Sequence, residues 1–283
     1  MATEFTGNGD PARSLALLWR TGERPTRGRK SGLTVDRIVQ AAIELADEEG
    51  LGALAMRRVA ERLGVGTMSL YTHVPGKAEL LDVMLDTVLG EAAGVEGGEL
   101  AAEAAGAADA GAGGAGDWRA RLEAIARENR ALYLRHPWLL QIATSRPPLG
   151  PNVTAKYDHE LRAVEGIGLT DVEMDAVVTL LTGFVHGAVR GAVEAAEAER
   201  ASGITDEQWW EAHAPLLDRI IDFERWPVAG RVGQAAGEAH GGAYGPEHAF
   251  EFGLARVLDG IAVLVRARQG EPESDPNAAS ENG

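Results

Sequence analysis

Arg57, Thr67, Met68, Ser69 and Thr72 lie close together around Leu63-Gly64-Val65, and their types suit the reading of a DNA duplex. Short hydroxyls hydrogen-bond to most base edges at close range, a methionine can touch a thymine methyl, and an arginine can reach guanine or phosphate. Tyr71, His73 and Lys77 follow at once. Lys77 stands at an expected helix start, where backbone N–H groups add their own attraction for phosphate. Taken singly, Tyr71 suits a core as well as it suits a phosphate, and His73 is more often an ordinary residue than a contact. Upstream, Arg24, Arg27, Arg29 and Lys30 are interspersed with Pro25, Gly28, Ser31 and Gly32. That composition does not hold a helix, and it reads as a flexible cationic arm able to follow a phosphate backbone or enter a minor groove.

These side chains need a scaffold. Residues 56–63 and 67–73 read as two short helices joined through Gly64-Val65-Gly66, the geometry of a helix-turn-helix. Ala60 is small where the helices would cross, Leu63, Val65 and Leu70 can fill their shared core, and Gly64 can take the left-handed conformation that ends the first helix. Short αα corners also occur in purely structural bundles, so the surrounding charge matters. The chain has 27 basic and 43 acidic residues, a net charge of −16, which on average argues against nucleic acid. Residues 13–77, however, hold eleven basic and seven acidic residues, so this one region is cationic and the remainder strongly acidic.

Other chemistries lack their residues. The absence of cysteine excludes a disulfide framework, a thiol nucleophile and thiolate metal sites, as expected of an intracellular chain. Gly111 to Gly116 matches G-x-G-x-x-G but follows low-complexity sequence instead of a strand, so a dinucleotide would have no cradle. The seven histidines show no zinc spacing, there is no G-x-S-x-G elbow, and Gly76-Lys77-Ala78 lacks the rest of a P-loop. Asp158-His159-Glu160 point about 100° apart on a helix and read as a solvated face. No catalytic set, cofactor or metal is expected. Apolar stretches stop well short of the ~18 residues of a membrane span and the first residues lack a signal-peptide pattern, so a soluble cytoplasmic protein with no membrane partner is expected.

Helical periodicity dominates, and the fold expected is all-α. An N-terminal extension (1–32) combines a short amphipathic helix at 11–20 with the basic arm. The head (33–91) opens with a helix at 34–49, capped by Thr34 and closed by Gly50, and ends with a helix at 77–91. Residues 92–116, almost wholly Ala, Gly, Glu and Asp, read as a flexible linker, and 269–283 as a disordered tail. In the C-terminal domain (117–268), Asp117 caps a helix to Arg135 and Pro137 forces a corner. Capping boxes at Thr170/Glu173 and Thr205/Gln208 start helices at 171–200 and 206–224. A Gly-rich loop (229–245) then leads to a final helix, 246–268.

A single reading helix binds DNA weakly, and pairing two across a twofold axis is the usual solution. Gly183, Gly187 and Gly191 recur along one stripe of the long helix, each costing about 1 kcal/mol relative to alanine. Such a ridge, flanked by Phe184, Ala188 and Ala192, can bring this helix very close to a twin, with Leu254, Leu258 and Ile261 of the final helix completing a four-helix interface. A tight crossing within one subunit, or room for a ligand, explains the same glycines. Tyr133, His136, Trp138, Phe184, His186, Trp209 and Trp210 are candidates to line a small-molecule pocket, although ordinary core roles suit them too.

From Leu33 to Leu85 three stretches stand out: Ala46-Asp47-Glu48-Glu49-Gly50, Met56-Arg57-Arg58-Val59-Ala60-Glu61-Arg62-Leu63-Gly64-Val65, and Ser69-Leu70-Tyr71-Thr72-His73-Val74 followed by Lys77-Ala78-Glu79-Leu80-Leu81. In these the chain resembles the tetracycline-repressor (TetR) family of one-component regulators. The resemblance implies a helix-turn-helix head followed by a helical-bundle ligand-binding and dimerisation domain. It implies operator contacts by Arg57, Thr67, Met68, Ser69, Tyr71, Thr72, His73 and Lys77. It implies a repressor, working as a homodimer at the nucleoid, that is released when a small effector shifts the helix at 77–91 and changes the spacing of the two heads. Gly66 and Thr67 replace longer polar side chains of the tetracycline repressor, so its operator sequence is not carried over. The alternative reading is a helical-bundle enzyme or a protein-protein adaptor with a non-functional head.

Overall fold

A computed structural model of the chain describes residues 4–6, 9–21, 32–92, 118–143, 146–242 and 244–270. The arm residues Arg27, Arg29 and Lys30, nearly all of the expected linker and the tail lie outside the described residues.

Asp10 accepts from the backbone of Arg13 and Pro11 supplies the first turn of α1 (Pro11–Leu18). Thr34 accepts from the Arg37 backbone to start α2 (Val35–Glu49), and Gly50, with φ 81°, ends it. α3 (Met56–Leu63), α4 (Thr67–Tyr71) and α5 (Lys77–Ala92) complete the head. The C-terminal domain comprises α6 (Trp118–Arg135), α7 (Pro151–Arg162), α8 (Asp171–Ser202), α9 (Asp206–Ile220), α10 (Pro227–His240) and α11 (Pro246–Gly270). Apart from a two-residue parallel pairing of β1 (Glu4–Phe5) with β2 (Ile142–Ala143), the regular structure of the described residues is helical, as the periodicity predicts.

One buried core runs through head and body. Val177, Leu181, Val185, Val189 and Val193 form the buried stripe of α8, which packs between α6 and α11. α8 is long and apolar enough to cross a membrane by length and composition alone, with a third of its apolar window buried in the one-sided stripe that packs on the body. Both expected capping boxes are present. The first also ties the ends of two helices together, because Arg268 of α11 reaches Glu173 with Nη2 at 2.6 Å. That guanidinium, with the Thr170 N–H, holds the Glu173 carboxyl down to about 2. A carboxyl with a lowered folded pKa stabilises above its ordinary value of 4.5 and loses the contribution as pH falls toward 2. The melting-temperature gap between the wild type and Glu173→Gln should therefore close across that window.

Two expectations are corrected. Residues 229–245 are largely helix α10, not a loop: Gly230 and Gly237 leave room for the rings of Phe223 and Trp210, which a Cβ would meet at 2.7 and 3.0 Å. The Asp158-His159-Glu160 run is not wholly solvated either. Glu160 is buried, accepting from Asn129 Nδ2 at 2.8 Å and paired with Lys156 one helical turn back.

Candidate nucleic-acid interface

Gly64 adopts the left-handed conformation (φ 67°, ψ 30°), and the Val65 N–H reaches back to the Ala60 carbonyl at 3.0 Å, closing α3 and turning the chain into α4. Ala60 is buried at the crossing of α3 and α4, and Leu70 is fully buried beneath it, with Leu63 and Val65 packed at the margin. Val59, Met56 and Val74 share that core, and the motif alone did not single them out. Leu70→Ala should lower the stability of the head by about 2 to 5 kcal/mol, the usual cost of a cavity at a fully enclosed leucine, read as a lower denaturant midpoint with the α3–α4 amides exchanging first.

With Leu70 turned inward, α4 presents the opposite face to solvent. Met68 is 76% exposed, an unusual position for a large apolar side chain, and Ser69, Tyr71 and Thr72 are exposed beside it. Tyr71 is thus not a core residue. The Thr72 hydroxyl donates to the Ser69 carbonyl at 2.7 Å, which leaves its oxygen free to accept. Thr67, His73 and Lys77 are half-buried at the margins of this face, with Lys77 as the first residue of α5.

The three arginines of α3 divide by role. Arg58 donates to Glu49 at 2.6 Å, and Arg62 donates to Glu48 at 2.8 Å and Glu44 at 3.3 Å. Both fasten α3 to α2, and the carboxylates push their guanidinium pKa values further up. Arg57 has only an Nε to Glu61 approach of 3.5 Å, and its side chain is 79% exposed. Of the three arginines of α3 it is the most exposed and the least engaged with a carboxylate.

The residues proposed for a pocket separate into three places. Tyr133 is buried and meets His186 edge-on at 5.6 Å. Burial raises the Tyr133 hydroxyl to about 12, and burial followed by Arg190 lowers His186, so the pair stays neutral at pH 7. His136 and Trp138 lie elsewhere, at the joint between head and body. Asp47 of α2 accepts from Trp138 Nε1 at 2.7 Å and meets His136 Nδ1 at 2.7 Å, while Glu91 of α5 approaches His136 Nε2 at 3.3 Å. Their polar atoms are thus occupied by head residues, which corrects their expected place in a pocket. Trp209 stacks on His213 and lines an open cleft of about 590 Å³ with Glu194, Glu199, Asp206 and Tyr244.

The glycine stripe resolves in a similar way. Nothing lies within 4 Å of a Cβ placed on Gly183 or Gly187, so no crossing inside the subunit requires them, whereas Gly191 makes room for Tyr244. Leu254, Leu258 and Ile261 are buried inside the subunit and are therefore not free to form an interface, a correction caused by α11 turning that face toward α6 and α8. The outer face of α11 instead shows Phe252 (57% exposed) and Val263 (59%). Phe184 is half-buried and stacks on Phe250, and Gly253 is the residue that lets its ring approach α11.

Residues 38–84 match the family described as bacterial regulatory proteins, tetR family, and residues 110–265 match the tetracyclin repressor-like C-terminal domain. The HTH-type transcriptional repressor DrrR1 of Streptomyces coeruleorubidus is 47% identical over 95% of this chain and 92% of its own length. The tetracycline repressor protein class A from transposon 1721 of Escherichia coli is 30% identical over 86% of this chain and 98% of its own. Among solved structures, ActR of Streptomyces coelicolor in complex with actinorhodin superposes with a TM-score of 0.63 at 27% identity, covering 82% of this chain and 97% of that one.

Proposed function

Because the chain belongs to the tetracycline-repressor family of transcriptional regulators, we propose that it binds a palindromic operator as a homodimer and releases it when a small molecule enters the C-terminal domain. Its relatives and its fold are those of repressors, not enzymes. The observation that carries the reading is the face of α4: a buried Leu70 holds Met68, Ser69, Tyr71 and Thr72 outward, with Arg57 exposed on the neighbouring helix. Arg57, Thr67, Met68, Ser69 and Thr72 contact base edges, and Tyr71, His73 and Lys77 contact phosphates. The arm residues Arg27, Arg29 and Lys30 add backbone contacts in the same cytoplasmic, nucleoid-bound complex.

The dimer is formed by the outer faces of α8 and α11, where Gly183 and Gly187 allow close approach and Phe252 and Val263 supply apolar area. The effector binds in the body beside Tyr133 and His186, whose neutral polar atoms suit an apolar ring system bearing hydroxyl or carbonyl groups. That the similar ActR is solved in complex with the small molecule actinorhodin supports a small-molecule ligand here. Release requires only that the effector bind one spacing of the heads more tightly than the other.

The test is salt. Affinity for a duplex enriched from a random-sequence pool should fall steeply between about 50 and 200 mM salt, with a log–log slope near unity per phosphate neutralised. A flat response would favour the adaptor reading.

A further inference from the structure

The family match to the head begins at residue 38, yet an ordered helix and a short strand precede it. Residues 4–6 and 9–21 touch the head, the linking helix α5 and the body. On the body side, Glu4 and Phe5 pair with Ile142 and Ala143, the Thr6 hydroxyl donates to the Arg146 carbonyl at 2.6 Å, and the Trp19 indole N–H donates to the Leu149 carbonyl at 2.8 Å. Along α5, α1 packs lengthwise, Leu18 is buried and the Ser14 hydroxyl donates to Asp82 at 3.2 Å. At the far end Arg20 pairs with Asp36 of α2.

The surface that this segment covers on α5 is unusual. Glu79, Asp82 and Asp86 recur at helical spacing on one side of α5, and all three are buried. The strap lies over the first two, with Gly9 so close to Glu79 that a Cβ there would collide with its carboxylate. Asp86 continues the row toward the body and accepts from the backbone N–H groups of Asn152 and Val153 at 3.1 and 2.9 Å, capping the start of α7. Burying carboxylates is costly without such partners, so this side of α5 is held to the body by polar contacts that either form together or rehydrate together.

We propose that residues 4–6 and 9–21 are an intramolecular strap that fastens α5 to residues 142–143 and 146–149 of the body and limits how far α5 swings relative to it. Resting on the reading of α5 as the helix that moves between DNA-bound and released states, the strap sets how firmly a change in the body is transmitted to the head. A swing of α5 must carry the strap along or break its contacts with the body.

The lack of cysteine makes the test clean. The full chain carrying Phe5→Cys and Ala143→Cys, which are paired Cα partners, is compared oxidised and reduced, alongside a chain lacking residues 2–19. Amide exchange across residues 77–92 should be at least tenfold faster in the shortened chain and slower in the oxidised than in the reduced pair, while α2 exchange stays unchanged. On the duplex enriched from a random pool, the oxidised and reduced forms should then differ at least threefold in affinity. Unchanged α5 exchange on shortening and on oxidation overturns the strap. Should the shortened chain fail to fold, equal α5 exchange in the oxidised and reduced forms overturns it alone. The exchange measurement contains no DNA, so it stands or falls separately from the operator reading.

Discussion

Gly187→Leu should yield a folded monomer that has lost tight operator binding. Among the described residues an added Cβ at this exposed position meets nothing within 4 Å, so a longer side chain starts out into open space. It should even favour the helix by about 1 kcal/mol, because glycine is a poor helix former. The damage falls wholly on a neighbour that approaches the ridge closely. Val172 and Leu180 lie on the same exposed side of α8, next to the exposed Arg190–Glu194 ion pair at its C-terminal end, so the stripe that leucine would interrupt is apolar only in its first half. Losing the twin removes the second reading head, and operator affinity should drop by about 100-fold or more once both half-sites are no longer held together. Light scattering reads the mass and fluorescence anisotropy reads the affinity. A dimer of unchanged stability would place the interface elsewhere.

Arg57→Ala is the second substitution expected to have a large effect. Its partner on the surface, Glu61, is exposed and 3.5 Å away, so losing that pair costs the fold little. If the guanidinium contacts a base edge, each half-site should lose about 1 to 3 kcal/mol, and discrimination at that base pair should relax. Lys77→Ala should behave differently, weakening all sequences alike and lowering the salt slope by about one per half-site. Competition binding against duplexes altered one base pair at a time separates the two. Equal loss on every duplex would make Arg57 a phosphate contact. By contrast, Arg58→Ala and Arg62→Ala should act through stability, since those arginines hold α3 against α2.

Much of the fold was legible in the sequence because these positions are dictated by backbone chemistry. Gly64 turns where a left-handed residue is required, Thr34, Thr170 and Thr205 cap where an unpaired N–H must be met, and Leu70 follows the buried period. Partner choice among like side chains was not legible. Nothing in the spacing of Arg57, Arg58 and Arg62 says which two will be drawn to Glu44, Glu48 and Glu49, because that depends on where α2 lies. The same holds for His136 and Trp138, whose aromatic character suggested a pocket but whose polar atoms are met by Asp47 of a distant helix. Glycine was ambiguous for a different reason. It marks a place where something comes close, and only the tertiary arrangement shows whether the neighbour is Phe223, Trp210, Tyr244 or nothing within the subunit. The contacts of residues 4–6 and 19 with the body were hidden as well, because a two-residue pairing and two side-chain hydrogen bonds leave no periodic pattern.

Selection of fragments from the organism's own chromosome by the purified full-length chain, at low ionic strength, bears most directly on the paired reading heads. Two copies of α4 presented across a twofold axis should enrich an inverted repeat whose half-sites sit about one helical turn, or a small multiple of it, apart. Enrichment of no fragment, or of fragments sharing no repeat, would contradict the account.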